Sequence, residues 1–112
     1  VQPRNVVGGH VLAVAVGILF HYVASPAYAA WLPPWLAAAV APATAIAGMA
    51  RLGITHPPAG AACLIFISGA PAVTNLGWLY LALPVLAPIL YTMVLGILFN
   101  NLCPQRQYPV YW

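Results

Sequence analysis

Arg51-Leu52-Gly53-Ile54-Thr55-His56-Pro57-Pro58-Ala59-Gly60-Ala61 is the stretch that decides how the chain is folded, because it interrupts an otherwise apolar sequence. Pro57 biases His56 toward extended backbone, so a helix arriving from upstream ends before His56. A proline suits the first turn of a helix, where its missing N–H costs no hydrogen bond, so a new helix opens at Pro57 or Pro58. Small residues follow, and they let a ligand or another helix approach the backbone. The stretch therefore reads as a turn between two helices.

Working outward, four apolar segments appear, at about 6–23, 35–52, 57–73 and 77–99. Spanning the hydrocarbon takes ~20 helical residues, with a range of ~17–25. The first, second and fourth meet that length. The third has a clean apolar core only from Ala59 to Ser68, so it reads as a short span or a re-entrant half-helix. Only 3% of the 112 residues are charged, against roughly 25% in a soluble domain, so lipid must be most of the solvent. A mean hydropathy of +0.96 agrees. The predicted fold class is all-α: a single-domain polytopic membrane helix bundle of four transmembrane helices, with a short, Pro-initiated third helix.

The arginines support four crossings. If every segment crosses, Arg4, Arg51 and Arg106 fall on one side, and the opposite loops carry no charge. That is the positive-inside pattern, and it puts both termini on the stromal or cytoplasmic side. Trp31, Trp35, Trp78, Tyr80, Tyr108, Tyr111 and Trp112 lie near segment ends, as an interfacial aromatic belt does. Stripes of small residues at Gly9, Ala13 and Gly17, and at Ala37, Ala41 and Ala45, predict close helix packing. Pro84 and Pro88 predict a bend in the fourth helix. Asn100-Asn101 is placed to cap that helix's last carbonyls.

Several functions are excluded by what the sequence lacks. It has no Asp or Glu. A Ser-His-Asp triad, a carboxylate pair and an acidic cation-attracting ring are therefore out of reach within the chain. Three isolated arginines make no nucleic-acid-binding patch. Cys63 and Cys103 form no CxxC pair. No metal site is expected, and the chain is not expected to be an enzyme. Its first residue is Val1, as in a processed or truncated chain or the ordered part of a longer one.

Two constellations remain. At the quoted turn, the third helix exposes unpaired N–H groups and about +0.5 of charge, with Arg51 and His56 beside it. Anions bind at such termini. Interrupted helices in transporters use the same device. The candidate anion-binding residues are Arg51, Thr55, His56 and Gly60, with Arg4 nearby. The same spacing also fits a plain turn with Arg51 as an interfacial anchor. In the first segment, His10 and His21 are eleven residues apart and so ~20° apart around a helix. Intramembrane histidines are functional candidates, as axial ligands of haem or chlorophyll. The alternative is two interfacial histidines bonded to carbonyls or water.

At this point the residues resemble a known family. His56-Pro57-Pro58, within Thr55 to Ala61, is similar to the signature of the HPP family of integral membrane proteins. Gln2-Pro3-Arg4-Asn5-Val6-Val7-Gly8-Gly9-His10 looks like that family's entry to a first helix. Gly77-Trp78-Leu79-Tyr80, Asn100-Asn101-Leu102 and Tyr108-Pro109-Val110-Tyr111-Trp112 look like its closing segment. The resemblance covers almost the whole chain. It implies a four-helix membrane domain and, from chloroplast and cyanobacterial members, nitrite transport. The expected setting is a chloroplast inner envelope or thylakoid membrane, or a cyanobacterial or other bacterial inner membrane. The expected partners are lipid, a small anion, and further copies or subunits of a larger complex, with no cofactor. The competing expectation is a non-catalytic subunit of a photosynthetic assembly, ligating chlorophyll through His10 or His21.

Overall fold

The computed structural model describes residues 2–112. Each early helix opens on a proline. These are α1 (Pro3–Ala24), α2 (Pro34–Leu52), α3 (Pro57–Ile67) and the single turn α4 (Pro71–Thr74). The last element, α5 (Leu81–Asn101), begins as a π-helix over Leu81–Leu86. Among the described residues there is no strand.

The long helices follow the apolar runs. α1, α2 and α5 have 22, 19 and 21 residues, each long and apolar enough to cross a membrane. The third segment is shorter than expected. α3 has 11 residues, about 16 Å of helix, and stops at Ile67 rather than near Val73. The cause is local. A Cβ on Gly69 would sit 2.7 Å from the Ile65 carbonyl oxygen, so the chain turns there in a way only glycine allows. Ala70 is held extended (φ −62°, ψ 161°) by Pro71, which starts a new turn. The fourth segment also starts later than expected, because Gly77 (φ 52°) turns the backbone left-handed before α5. Three helices, not four, have the length of a span.

The quoted turn forms as its residues require. Gly53 adopts φ 64°, and Ile54 N–H donates to Met49 O at 3.0 Å, closing the end of α2. His56 is extended and sits at the N-cap of α3, as Pro57 demands. The π-helical opening of α5 has its cause in Pro84. A proline lacks the N–H its i−4 carbonyl needs and crowds that carbonyl. The helix widens, and Ala87 N–H donates to Ala82 O, five residues back. The expected caps are present: Asn100 Nδ2 donates to Gly96 O (2.7 Å) and Asn101 Nδ2 to Ile97 O (2.8 Å).

α1 is the central helix. One of its sides packs into a cluster of Ala13, Ala41, Ala45, Met49, Ala59 and Cys63, all fully buried. Another packs with Phe66, Tyr80 and Val85 through Val14 and Ile18. Small residues make these approaches close. A Cβ on Gly17 would lie 3.1 Å from Cys63 O, and one on Gly48 3.2 Å from Leu12. From Ala87 onward α5 buries no residue, so its outer face, with Leu90, Tyr91, Val94, Leu98 and Phe99, is open.

Candidate functional site

The quoted turn is laid across the first half of α1. A Cβ on Gly9 would meet His56 Cβ at 2.9 Å, Met49 Sδ at 3.1 Å and Ile54 O at 3.2 Å. Asn5 Nδ2 donates to Thr55 O at 3.3 Å, while Asn5 Oδ1 is buried with no partner. Arg4 Nη2 reaches Leu52 O at 3.5 Å, the outer limit of a hydrogen bond. These contacts bring two histidines together. The rings of His10 and His56 have centroids 5.1 Å apart and planes tilted by 52°.

His10 is buried, 8% exposed, and its Nδ1 lies 2.8 Å from Val6 O. A carbonyl oxygen only accepts, so Nδ1 carries the hydrogen and neutral His10 keeps its lone pair on Nε2. Burial, and then the neighbouring His10, hold the His56 imidazole below the ordinary histidine value. Two unit charges at this separation repel by roughly 3 kcal/mol at an effective dielectric near 20. The separation therefore disfavours a positive charge on both rings at once.

Both rings line a groove of about 470 Å³ between α1, the turn and α5. Its walls are Val6, Pro88, Ile89 and Met93, with Thr92, Asn100 and Tyr108 as polar points. Thr92 Oγ1 donates to Pro88 O (2.7 Å), one turn earlier in α5. The C-terminal tail closes one end of the groove. Asn101 holds Tyr108 through its side chain, and Gln2 Oε1 accepts from Val110 N (3.0 Å) and Tyr111 N (3.2 Å). His10 also borders a second cavity of about 250 Å³, which runs along α3 and α5 past Ala61, Ile65, Tyr80 and Pro84. The two cavities share His10, Pro88 and Ile89 in their linings.

The sequence-derived residues separate here. His56 and His10 meet, although they were assigned to different constellations. Arg51 is exposed on the last turn of α2, and Thr55 is exposed beside it. Gly60 is buried against Ile46, whose side chain lies 3.4 Å from where a Cβ would sit. None of these three lines the groove, and neither does Arg4. His21 lies at the other end of α1, with its ring 5.6 Å from Phe66, beside a separate cavity of about 190 Å³. The sequence reading missed the α5 side of the groove, Thr92, Met93 and Asn100. Only the cap formed by Asn100 was signalled.

The family profile described as HPP, transmembrane region, matches residues 1–109. A Dictyostelium discoideum protein, described only as a transmembrane protein, is 33% identical over 111 residues, covering 99% of this chain and 34% of that one. A second transmembrane protein of the same organism is 31% identical, again over 99% of this chain and 38% of the relative. The chain thus spans little more than a third of the curated relatives it matches. No solved structure matches it.

Proposed function

The chain belongs to the HPP transmembrane-region family, and on that premise we propose that it carries a small monovalent anion, with nitrite as the substrate, across the bilayer. The observation that carries this reading is the pair of grooves along α1, α3 and α5 that share His10 in their lining, the larger of the two also bordered by His56. Every permanent charge in the chain is positive, so no carboxylate opposes an anion along that path. Arg4, and Arg51 one residue before its contact Leu52, belong to the helix ends that flank the turn, and they enrich anions near the entrance. α3, though short, completes a fourth passage when the Ser68–Leu76 segment is counted with it. Both termini and the quoted turn then face the cytoplasm, stroma or matrix. The bundle is small, and the open face of α5 suits lipid, a second copy or a larger assembly.

Purified protein in liposomes is expected to pass nitrite well above the empty-liposome leak, and His56→Gln is expected to lose at least tenfold of that flux. Flux equal to empty liposomes, with insertion verified, would reject the reading.

A structural role in a pigment-bearing complex is the second reading. What favours it is the state of His10: Nδ1 anchored on a carbonyl and Nε2 carrying the lone pair, the arrangement an axial ligand needs. The visible spectrum of the purified protein decides between them. A bound chlorophyll band supports the second reading, and a colourless protein that passes nitrite rules it out.

A further inference from the structure

We propose that the His10–His56 pair takes up one proton together with the anion, so that the site binds and passes a small monovalent anion as a neutral anion–proton pair. The inference rests on the anion reading above and names how that site works.

The groove cannot neutralise an anion with its permanent charges. Arg4 and Arg51 are exposed and lie outside its lining. Among the described lining residues, only His10 and His56 can become cationic. An uncompensated charge between Val6, Ile89 and Met93 is costly, because those side chains offer no hydrogen bonds. Thr92 and Asn100 are the nearby polar side chains of α5; the Thr92 hydroxyl hydrogen and one Asn100 amide hydrogen go to Pro88 O and Gly96 O, and neither side chain can carry a positive charge. The compensating charge must come from an imidazole.

The pair is arranged to supply one charge. Nδ1–H of His10 is committed to Val6 O, so a second hydrogen goes to its Nε2 or to His56. The rings are too close to carry two protons, so the site gains a single positive charge. The other ionisable groups on the surrounding elements do not compete for that role. α1 contributes Arg4, α2 Arg51, the start of α5 Tyr80 in the neighbouring cavity, and the tail Tyr108 and Arg106. The sequence offers no Asp or Glu side chain to hold the histidines protonated in the empty state. Protonation and anion binding therefore favour each other. The step balances: one anion and one proton enter on one side, and both leave on the other.

The test uses the chain in lipid nanodiscs with sodium nitrite as the probe, and measures nitrite affinity from pH 5.5 to 8. NMR follows the His10 and His56 rings alongside. Wild-type affinity is expected to fall about tenfold per pH unit above the midpoint of the pair, and saturating nitrite is expected to raise that midpoint by a unit or more, because linkage is reciprocal. His10→Asn is the variant of choice. Asn100 and Asn101 already make i−4 carbonyl bonds in this chain, so an asparagine at position 10 keeps the bond to Val6 O while removing the titratable nitrogen. His10→Asn and His56→Gln are both expected to flatten the pH dependence. Nitrite binding that is independent of pH and leaves the midpoint in place overturns this inference and leaves the anion reading standing. Absence of nitrite binding at every pH overturns both.

Discussion

Gly9 and His56 are in backbone contact range: a methyl group at Gly9 would lie 2.9 Å from the His56 Cβ. The glycine of one sequence block is thus the seat for the histidine of another. Met49 Sδ and Ile54 O close the remaining space at 3.1 and 3.2 Å. Gly9→Ala is expected to lift the turn from α1 and cost about 1–3 kcal/mol, as overpacking does. Unfolding in detergent measures the loss. Gly53→Ala is the control: its Cβ meets nothing within 4 Å, so only the strain of φ 64° is felt, about 1 kcal/mol.

The environment of His56 gives stability a pH dependence. Its folded pKa is lowered from 6.5 by burial and by the neighbouring His10. The unfolded chain therefore binds more protons just below that value, and stability rises with pH through the window. The contribution is fully present above 6.5 and is lost as pH falls through the lower folded value. The thermal midpoint in detergent is expected to drop on acidification below pH 6.5. His56→Gln is expected to remove most of that slope, and an unchanged slope in that variant would place its origin elsewhere.

Arg51 lies at the entrance and not in the groove, so its effect should be long-range. Arg51→Gln is expected to slow nitrite entry severalfold at low salt and hardly at all near 1 M salt, where the Debye length is about 3 Å. A salt-independent loss would mean that Arg51 touches the anion directly.

The proposed four passages would place Cys103 and the quoted turn on the same side of the membrane. Cys63 is buried, so an impermeant maleimide reads Cys103 in the native chain. In a Cys103→Ser background, Thr55→Cys is expected to react from the same side as Cys103, and Ala27→Cys from the other. Labelling of Cys103 and Thr55→Cys from opposite faces would leave three crossings, with α3 dipping in and out.

What the sequence made legible is what depends on neighbours along the chain. Pro57 marked both the turn and the start of the helix after it, and the alanines of α2 marked its packed face, since Ala37, Ala41 and Ala45 are fully buried. The early end of α3 was half visible in the clean core ending at Ser68, but the tight turn at Gly69 depends on Ile65 and Val73 folding back on it. The π-helical start of α5 was visible only as a bend, because prolines signal a lost hydrogen bond and not how the helix absorbs it. The histidine pair was not legible. Helical periodicity relates His10 to His21, which lie on one face about 16 Å apart along the axis. The true partner comes from another element, and a one-dimensional period carries no information about it.

The claim on which the functional reading depends is that His10 and His56 form one site. Solid-state NMR of the chain in bilayers, with histidine labelled in carbon and nitrogen, measures this directly. The expected result is a through-space cross-peak between the two rings, with the His10 hydrogen on Nδ1. Rings without a cross-peak, or a neutral His10 protonated on Nε2, would contradict it.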